Sequence, residues 1–156
     1  MPISKAERQF HRKTAASCFN RTWDYLEKKD RSLEDDRQML HLAHTSRFHW
    51  SLVGNARNQA VGDWQVSRVY ACLNQPSLAL QFARASLETC KKNDLVDLMP
   101  TANEAMARAY AVAKDYSNAR RFLVTASNQL HKLEIADEDK RTYQSQISET
   151  EKMIEG

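Results

Sequence analysis

The sequence is poor in the two residues that break regular secondary structure. Its 156 residues include only three glycines and three prolines, and two of these six, Pro2 and Gly156, lie at the extreme ends. A β-rich fold with many tight turns needs more of both residue types. The hydrophobic share of 42% is too high for a disordered chain. We therefore expect one folded, helical domain, long enough to bury a core.

Long apolar runs are missing as well. No stretch approaches the roughly 18 to 20 apolar residues that a membrane-spanning helix requires, and residues 1–8 contain no segment like that of a secretory signal. The three cysteines, Cys18, Cys72 and Cys90, are widely spaced and odd in number. This suits a reducing compartment and supplies neither a disulfide framework nor a metal knuckle. We expect a cytoplasmic chain with no membrane segment.

The chain also has little excess of positive over negative charge. The formal net charge is only +3, and acids are spread along the whole chain. Basic residues concentrate near the start, at Lys5, Arg8, Arg12 and Lys13, but a sequence-independent nucleic-acid binder usually carries a stronger basic stripe. A nucleic-acid partner is therefore not the main expectation. A nucleic-acid-associated regulator that uses the basic first helix stays open as a third hypothesis.

Apolar residues recur at helical spacing almost everywhere in the chain. This pattern predicts an all-α protein of seven helices with mostly short connections, which implies antiparallel neighbours. The predicted helices are one over about 4–29, one over 33–53, one ending near 74, one starting at Pro76, one whose regular part opens at Pro100, one after the turn at 114–117, and a last one capped by Asp137.

Residues that are typical of helix ends support several of the predicted helix limits. Ser32 is a good N-cap, with Asp35 in the first turn of the second helix. Gly54 is well placed to stop that helix. Lys28 and its neighbouring lysine suit the negative end of the first helix, and Pro76 suits the first position of the fourth.

Two segments of the chain repeat one another. When Tyr70 is aligned with Tyr110, 40 positions later, an alanine follows each tyrosine after nine residues and a phenylalanine after twelve. The matched pairs are Tyr70 and Tyr110, Ala79 and Ala119, Phe82 and Phe122, Ser67 and Ala107, and Arg68 and Arg108. Small residues let antiparallel helix backbones approach closely, and the aromatic rings fill the wedge between hairpins.

This pattern resembles the tetratricopeptide repeat family, whose unit is a helical hairpin of about 34 residues. The resemblance covers about residues 60–131, with departures. The repeat here is 40 residues long, and the extra residues fall in 94–100. Asp63 and Asn103 occupy the family's usual tryptophan place, and Lys91 and His131 stand where the repeat would end in proline. An unrelated helical bundle is the alternative, because helical hairpins of any origin converge on alanine and aromatic contacts.

The resemblance implies a short α-solenoid of stacked hairpins in a single domain over 1–156. Within it, 1–55 form an N-terminal helical hairpin, 56–133 form two repeat-like hairpins, and 137–155 form a C-terminal capping helix. Covering both ends of the stack in this way is what a short solenoid requires.

In that family the first helix of each hairpin lines a concave groove that receives a peptide or helix. The resemblance therefore implies a non-catalytic protein–protein interaction module without a cofactor, with a groove lined by the third and fifth helices. The candidate partner-binding residues are Trp64, Gln65, Arg68, Cys72, Glu104, Arg108 and Val112. The sequence does not identify the partner, and an exposed apolar strip on a terminal helix equally suits a homodimer.

Arg68 and Arg108 stand at equivalent places in the two hairpins. Paired guanidinium groups suit carboxylates or a phosphate, because their forked donors bind bidentately. The alternative is that both arginines pair with acids of their own helices, Glu104 included. The lysine and asparagine set with which the family clamps a terminal carboxylate is not present.

A group of histidines is the one set of residues that suggests metal binding or catalysis. His41, His44 and His49 recur on the second helix, with His11 on the first, and a metal-dependent helical-bundle enzyme is the alternative function. No carboxylate lies at the right step, however, and Arg47 among them would repel a cation, so no metal site is expected. A glycine-rich phosphate loop, a nucleophile elbow and a metalloprotease pair are also missing. We therefore do not expect an enzyme.

Overall fold

The computed structural model describes residues 2–156, and across them the chain is helical with no strand. The prediction of an all-α chain with seven helices is confirmed. The helices are α1 (Lys5–Leu26), α2 (Leu33–Val53), α3 (Ala56–Cys72), α4 (Pro76–Lys92), α5 (Met99–Val112), α6 (Tyr116–Lys132) and α7 (Asp137–Glu155), with a 3₁₀ turn at Val96–Leu98. None of these helices is long and apolar enough to cross a bilayer.

Consecutive helices pack as hairpins, and the hairpins stack. The most extensive contacts join α1 to α2, α3 to α4 and α5 to α6, while α2 packs on α3 and α4 packs on α5. Contacts also run from α1 to α3, from α3 to α5 and from α5 to α7. The helices α1, α3, α5 and α7 therefore form one layer, called the inner layer below, and α2, α4 and α6 lie behind it.

The core extends along the whole stack. One buried cluster includes Trp64, Leu87 and Met106, and joins α3 and α4 to α5. Another includes Ile147 and Ile154 of α7, which pack on α5 and α6. A narrow apolar stripe on the last helix is thus the face by which α7 covers the end of the stack, as the sequence predicts for this capping helix.

The two tyrosines of the repeat have equivalent surroundings. Tyr70 stacks on Phe82 with ring centroids 5.7 Å apart, and Tyr110 stacks on Phe122 at 5.6 Å. The small residues beside them are buried, and Ser67 donates a hydrogen bond to the carbonyl oxygen of Ala79 at 2.7 Å. The 40-residue repeat seen in the sequence is therefore also a repeat of packing.

The turns inside the two hairpins are equivalent as well. Asn74 and Lys114 both adopt the left-handed conformation, with φ of 57° and 64°. The next amide in each turn donates back to the carbonyl oxygen of the tyrosine, from Gln75 to Tyr70 at 2.9 Å and from the residue after Lys114 to Tyr110 at 3.0 Å. This geometry satisfies carbonyl groups at the ends of α3 and α5.

Several predicted ends are confirmed and two are wrong. Ser32 and Asp35 form a capping box at the start of α2, and Gly54 ends that helix. The first helix, in contrast, ends at Leu26 and not near 29, and Lys28 reaches forward to Asp35 at 2.7 Å instead of facing the last carbonyls. Asp137 is the first residue of α7, not its cap, because Ala136 holds that position without a side-chain bond.

Gly62 lies inside α3 because another side chain crosses it. A β-carbon at this position would lie 2.7 Å from Cδ of Arg47. Arg47 extends from α2 over the glycine to Asp63, with Nε 2.7 Å from Oδ1. Asp63 is only 6% exposed, and burial raises the pKa of its carboxyl although Arg47 counteracts this. This ion pair ties the first hairpin to the second.

Arg47→Ala should lower the free energy of unfolding by about 2 kcal/mol, because Asp63 would stay buried without its partner. Chemical denaturation measures this change. The matched control is Arg57→Ala, which breaks the more exposed pair with Asp97 (2.7 Å; side chains 46% and 40% exposed) and should cost less than about 1 kcal/mol. Equal effects of the two substitutions would contradict the role assigned to Arg47.

Lys114→Gly should raise the free energy of unfolding by about 0.5 kcal/mol. A β-carbon in the left-handed conformation costs about 1 kcal/mol, and the greater freedom of glycine in the unfolded chain offsets part of that gain. Ser117→Gly, in the first turn of α6 where φ is not left-handed, is the control and should destabilise by up to about 1 kcal/mol. Destabilisation by both glycines would show that the turn carries no strain.

Candidate functional site

A cleft of about 390 Å³ opens on the inner layer, and all four of its helices line it. Of the seven predicted partner-binding residues, four lie on its walls: Arg68 and Cys72 of α3, and Arg108 and Val112 of α5. The opposite walls come from α1 and α7, which the sequence analysis assigned only to the ends of the stack. We call this space the central cleft.

The other three predicted residues lie beneath the central cleft and not in it. Trp64 is 8% exposed, and Gln65 and Glu104 are each 1% exposed. The ring of Trp64 packs against Trp23 of α1 at 5.7 Å, and Gln65 donates to the carbonyl oxygen of Phe19 at 2.9 Å. The groove assignment is therefore corrected for these three residues, because α1 and α7 cover them.

Glu104 is covered by two neighbours of its own. Its Oε1 accepts from Arg108 Nε at 3.0 Å, and from the hydroxyl of Thr150 on α7. The carboxylate thus lies between the inner-layer helices α5 and α7, where it holds the arginine in place.

Arg68 and Arg108 do stand side by side, as the repeat predicts. Both donate to the same oxygen, Oε2 of Glu149 on α7, at 2.9 and 3.1 Å. The alternative that both arginines pair with acids of their own helices is therefore right for Arg108, which pairs with Glu104, and wrong for Arg68, which pairs with Glu149 of α7. One of the two acids is Glu104, as expected, and the other comes from a helix 41 residues or more away in the sequence.

The electrostatics of the two arginines differ. Burial lowers the pKa of Arg68, and the neighbouring charge of Arg108 lowers it further. Burial also opposes the charge on Arg108, but Glu104 and Glu149 outweigh it and raise its pKa. For Glu149, burial is outweighed by the two arginines, which lower its pKa.

The ring of Trp23 also holds Arg68 in position, and one guanidinium nitrogen of Arg68 makes no hydrogen bond. Its guanidinium carbon lies 5.4 Å from the ring centroid of Trp23, a cation–π contact that fixes the side chain over α1. Its Nη1 is buried and has no hydrogen-bond partner within residues 2–156. The donors of Arg68 are therefore not all used by the protein.

Cys72 is the accessible thiol of the site. It is exposed, whereas Cys18 and Cys90 are buried, and burial raises the pKa of Cys90 to about 11. Arg31, in the connection between α1 and α2, donates to the sulfur of Cys72 at 2.8 Å and also pairs with Asp36. Cys72 is thus the one cysteine whose thiol is accessible on the wall of the central cleft.

The histidines of α2 have separate partners. His44 lies 2.8 Å from the hydroxyl of Tyr70, and Nδ1 of His49 lies 2.8 Å from Nδ1 of His11 on α1, while His41 is exposed. In the part of the chain that the structure describes, no three His, Cys, Asp or Glu side chains are placed to hold a metal ion. The three histidines of α2 are thus used in helix packing or face solvent.

Sequence reasoning missed the walls that α1 and α7 contribute. Trp23 and Leu26 come from α1, and Glu149 and Met153 come from α7. Trp23 carried a weak signal, since a tryptophan near the end of the first helix needs an apolar neighbour. Glu149 carried none, because it is one acid among several on a largely polar helix.

Comparison with known proteins adds no relative. No protein-family model matches the chain, and no curated protein or solved structure matches it either. The resemblance to tetratricopeptide repeats therefore stays a prediction that depends on the residues quoted above.

The half-buried His44 of α2 predicts a pH dependence. Burial lowers the pKa of His44 below that of an unfolded histidine, about 6.5. The unfolded state then binds more protons, so the free energy of unfolding should fall as pH drops from about 6.5 to 5. His44→Gln should make this fall less steep, as measured by urea denaturation at several pH values. His41→Gln, at an exposed position, should change the slope less than His44→Gln does, because the charge of His41 is the smallest cause of the shift at His44, and the reverse pattern would contradict the assignment.

Proposed function

We propose that this protein is a non-catalytic interaction module of the tetratricopeptide type, which binds a peptide or helical segment of a partner protein in the central cleft. The observation that carries the proposal is the cleft itself, on the inner face of stacked hairpins and open to solvent between α1 and α7. Such concave surfaces are what helical-repeat architectures use for binding.

The lining of the central cleft suits a peptide. Leu26, Val112 and Met153 give it apolar walls, and Trp23 adds an aromatic surface. Interfaces commonly combine apolar or aromatic anchors of this kind with a few placed charges, here Arg68 and its neighbours. A volume of about 390 Å³ is in the range of pockets that hold a small ligand, so we expect it to take anchoring side chains and not a whole helix.

A second depression continues the surface along α7. It has a volume of about 760 Å³ and shares Trp23, Arg68 and Glu149 with the central cleft, and it extends to Arg141 and Ser145. An extended segment therefore has a path between α1 and α7 that is longer than the cleft alone. The contacts along this path are polar, which is typical of the rim of an interface.

A cytoplasmic location is part of the proposal. All three cysteines are free, and one of them, Cys72, is exposed beside the binding surface. Free thiols persist in reducing compartments.

Photo-cross-linking from the rim of the central cleft tests where a partner binds. A benzophenone maleimide on Cys72→Ser/Ser145→Cys, at an exposed position in the depression that continues the cleft, should cross-link a protein from cells that express the chain. The matched control carries the same group on Cys72→Ser/Val96→Cys, because Val96 is 60% exposed and does not line the central cleft. A protein that cross-links equally from both positions is not a ligand of the cleft.

Direct binding of the captured partner to unlabelled protein completes the test. Cys72→Trp should weaken the affinity at least about tenfold, because the indole fills the cleft without disturbing the buried core, and tenfold corresponds to about 1.4 kcal/mol. Val96→Trp should leave the affinity unchanged. A partner that binds wild type and Cys72→Trp equally well would overturn the proposed function.

A further inference from the structure

One carboxylate oxygen of Glu149 serves two guanidinium groups. Oε2 accepts from Nη2 of Arg68 and from Nη2 of Arg108, at 2.9 and 3.1 Å. The arginines are largely buried, with side chains 15% and 13% exposed, whereas the side chain of Glu149 is 49% exposed. The cationic half of this contact is therefore fixed in the protein, and the anionic half lies at the solvent boundary.

The two arginines are held from behind by other groups. Arg108 is fixed by Glu104, which also bonds to Thr150, and Arg68 lies against the ring of Trp23. None of these contacts involves Glu149. If its side chain turned away, the two guanidinium groups would keep their positions and would face the central cleft without a carboxylate between them.

The hydrogen bonds of Arg68 are incomplete. Glu104 bonds to Arg108 and Thr150 through Oε1, while its Oε2 is buried without a hydrogen bond within residues 2–156, and Arg68 donates to no carboxylate oxygen but the shared one of Glu149. Its Nη1 has no hydrogen-bond partner within residues 2–156. Burial and the charge of Arg108 lower the pKa of Arg68, although Glu104 and Glu149 oppose this shift. A second oxygen acceptor near Arg68 would stabilise it.

We propose that Arg68 and Arg108 form a carboxylate-binding subsite in the central cleft, that Glu149 is its internal ligand, and that a carboxylate of an acidic partner segment replaces Glu149 there. This inference rests on the proposed function and names the chemistry of the partner. Exchange of one carboxylate for another conserves the charge-assisted hydrogen bonds of the arginines. A neutral or basic segment in the same place would leave the buried Arg68 without a paired carboxylate and Arg108 with Glu104 alone, which is costly.

The exchange does not require α7 to leave the stack. Ile147, Thr150 and Ile154 are buried and hold that helix against α5 and α6, while Glu149 reaches Arg68 of α3 and Arg108 of α5 from a partly exposed face. A change of side-chain rotamer at Glu149 is enough to free the arginines. Glu149 therefore competes with the partner for the subsite and sets the affinity without a change of fold.

Rescue of Glu149→Ala by formate tests the subsite directly. Formate is the smallest carboxylate and needs no partner. With a Kd of about 100 mM, sodium formate at about 200 mM should raise the melting temperature of Glu149→Ala by about 2 °C above the value in equal sodium chloride. Wild type, in which the subsite is occupied, should show no such difference, and neither should Glu149→Ala/Arg68→Gln. Glu151→Ala removes an exposed glutamate of the same helix and should behave like wild type.

The outcomes separate this inference from the proposed function. Equal melting temperatures of Glu149→Ala in formate and chloride overturn the carboxylate subsite, while a partner that cross-links from the rim position at Ser145 still supports the interaction module. Formate rescue that persists without Arg68 also overturns it. A larger rescue by inorganic phosphate than by formate overturns the carboxylate assignment in favour of a phosphorylated segment. Rescue by formate that depends on Arg68 supports the proposal even where no partner is captured.

Discussion

The stack of a tyrosine on a phenylalanine inside each central hairpin is the contact on which the rest of the structure depends. Tyr70 lies on Phe82 and Tyr110 lies on Phe122 at nearly the same separation, and the alanines beside them have no exposed surface. Because the two wedges have the same shape, α3 and α5 come to lie next to each other. This places the two repeat-related arginines together and lets α1 and α7 extend the same layer on either side.

Much of the fold could be predicted because its determinants are local. Apolar spacing marks each helix, the capping box at Ser32 marks the start of α2, and Pro76 marks the start of α4. The errors occur where a distant residue decides the local structure. The lysine that was expected to close α1 is instead drawn to Asp35 on the next helix, and Gly62 is explained only by Arg47, which crosses it from α2.

The site was predicted only in part, for a related reason. Internal repetition identified Arg68 and Arg108 as neighbours, since equivalent positions in stacked hairpins are adjacent. Burial of Trp64, Gln65 and Glu104 depends on α1 and α7, and no local pattern indicates that these helices continue the inner layer. The ion pair of Glu149 with Arg68 spans 81 positions. Contacts of such long range follow from packing, which a single sequence does not encode in any short motif.

The facing imidazoles of His11 and His49 have a consequence for the first hairpin. Their Nδ1 atoms are 2.8 Å apart with ring centroids separated by 5.0 Å, so one nitrogen must donate and the other must accept. The two rings are therefore opposite tautomers, one with its hydrogen on Nδ1 and the other with its hydrogen on Nε2. The link between the start of α1 and the end of α2, flanked by the solvent-facing rings of Phe10 and Phe48, thus needs two histidines in different tautomeric forms.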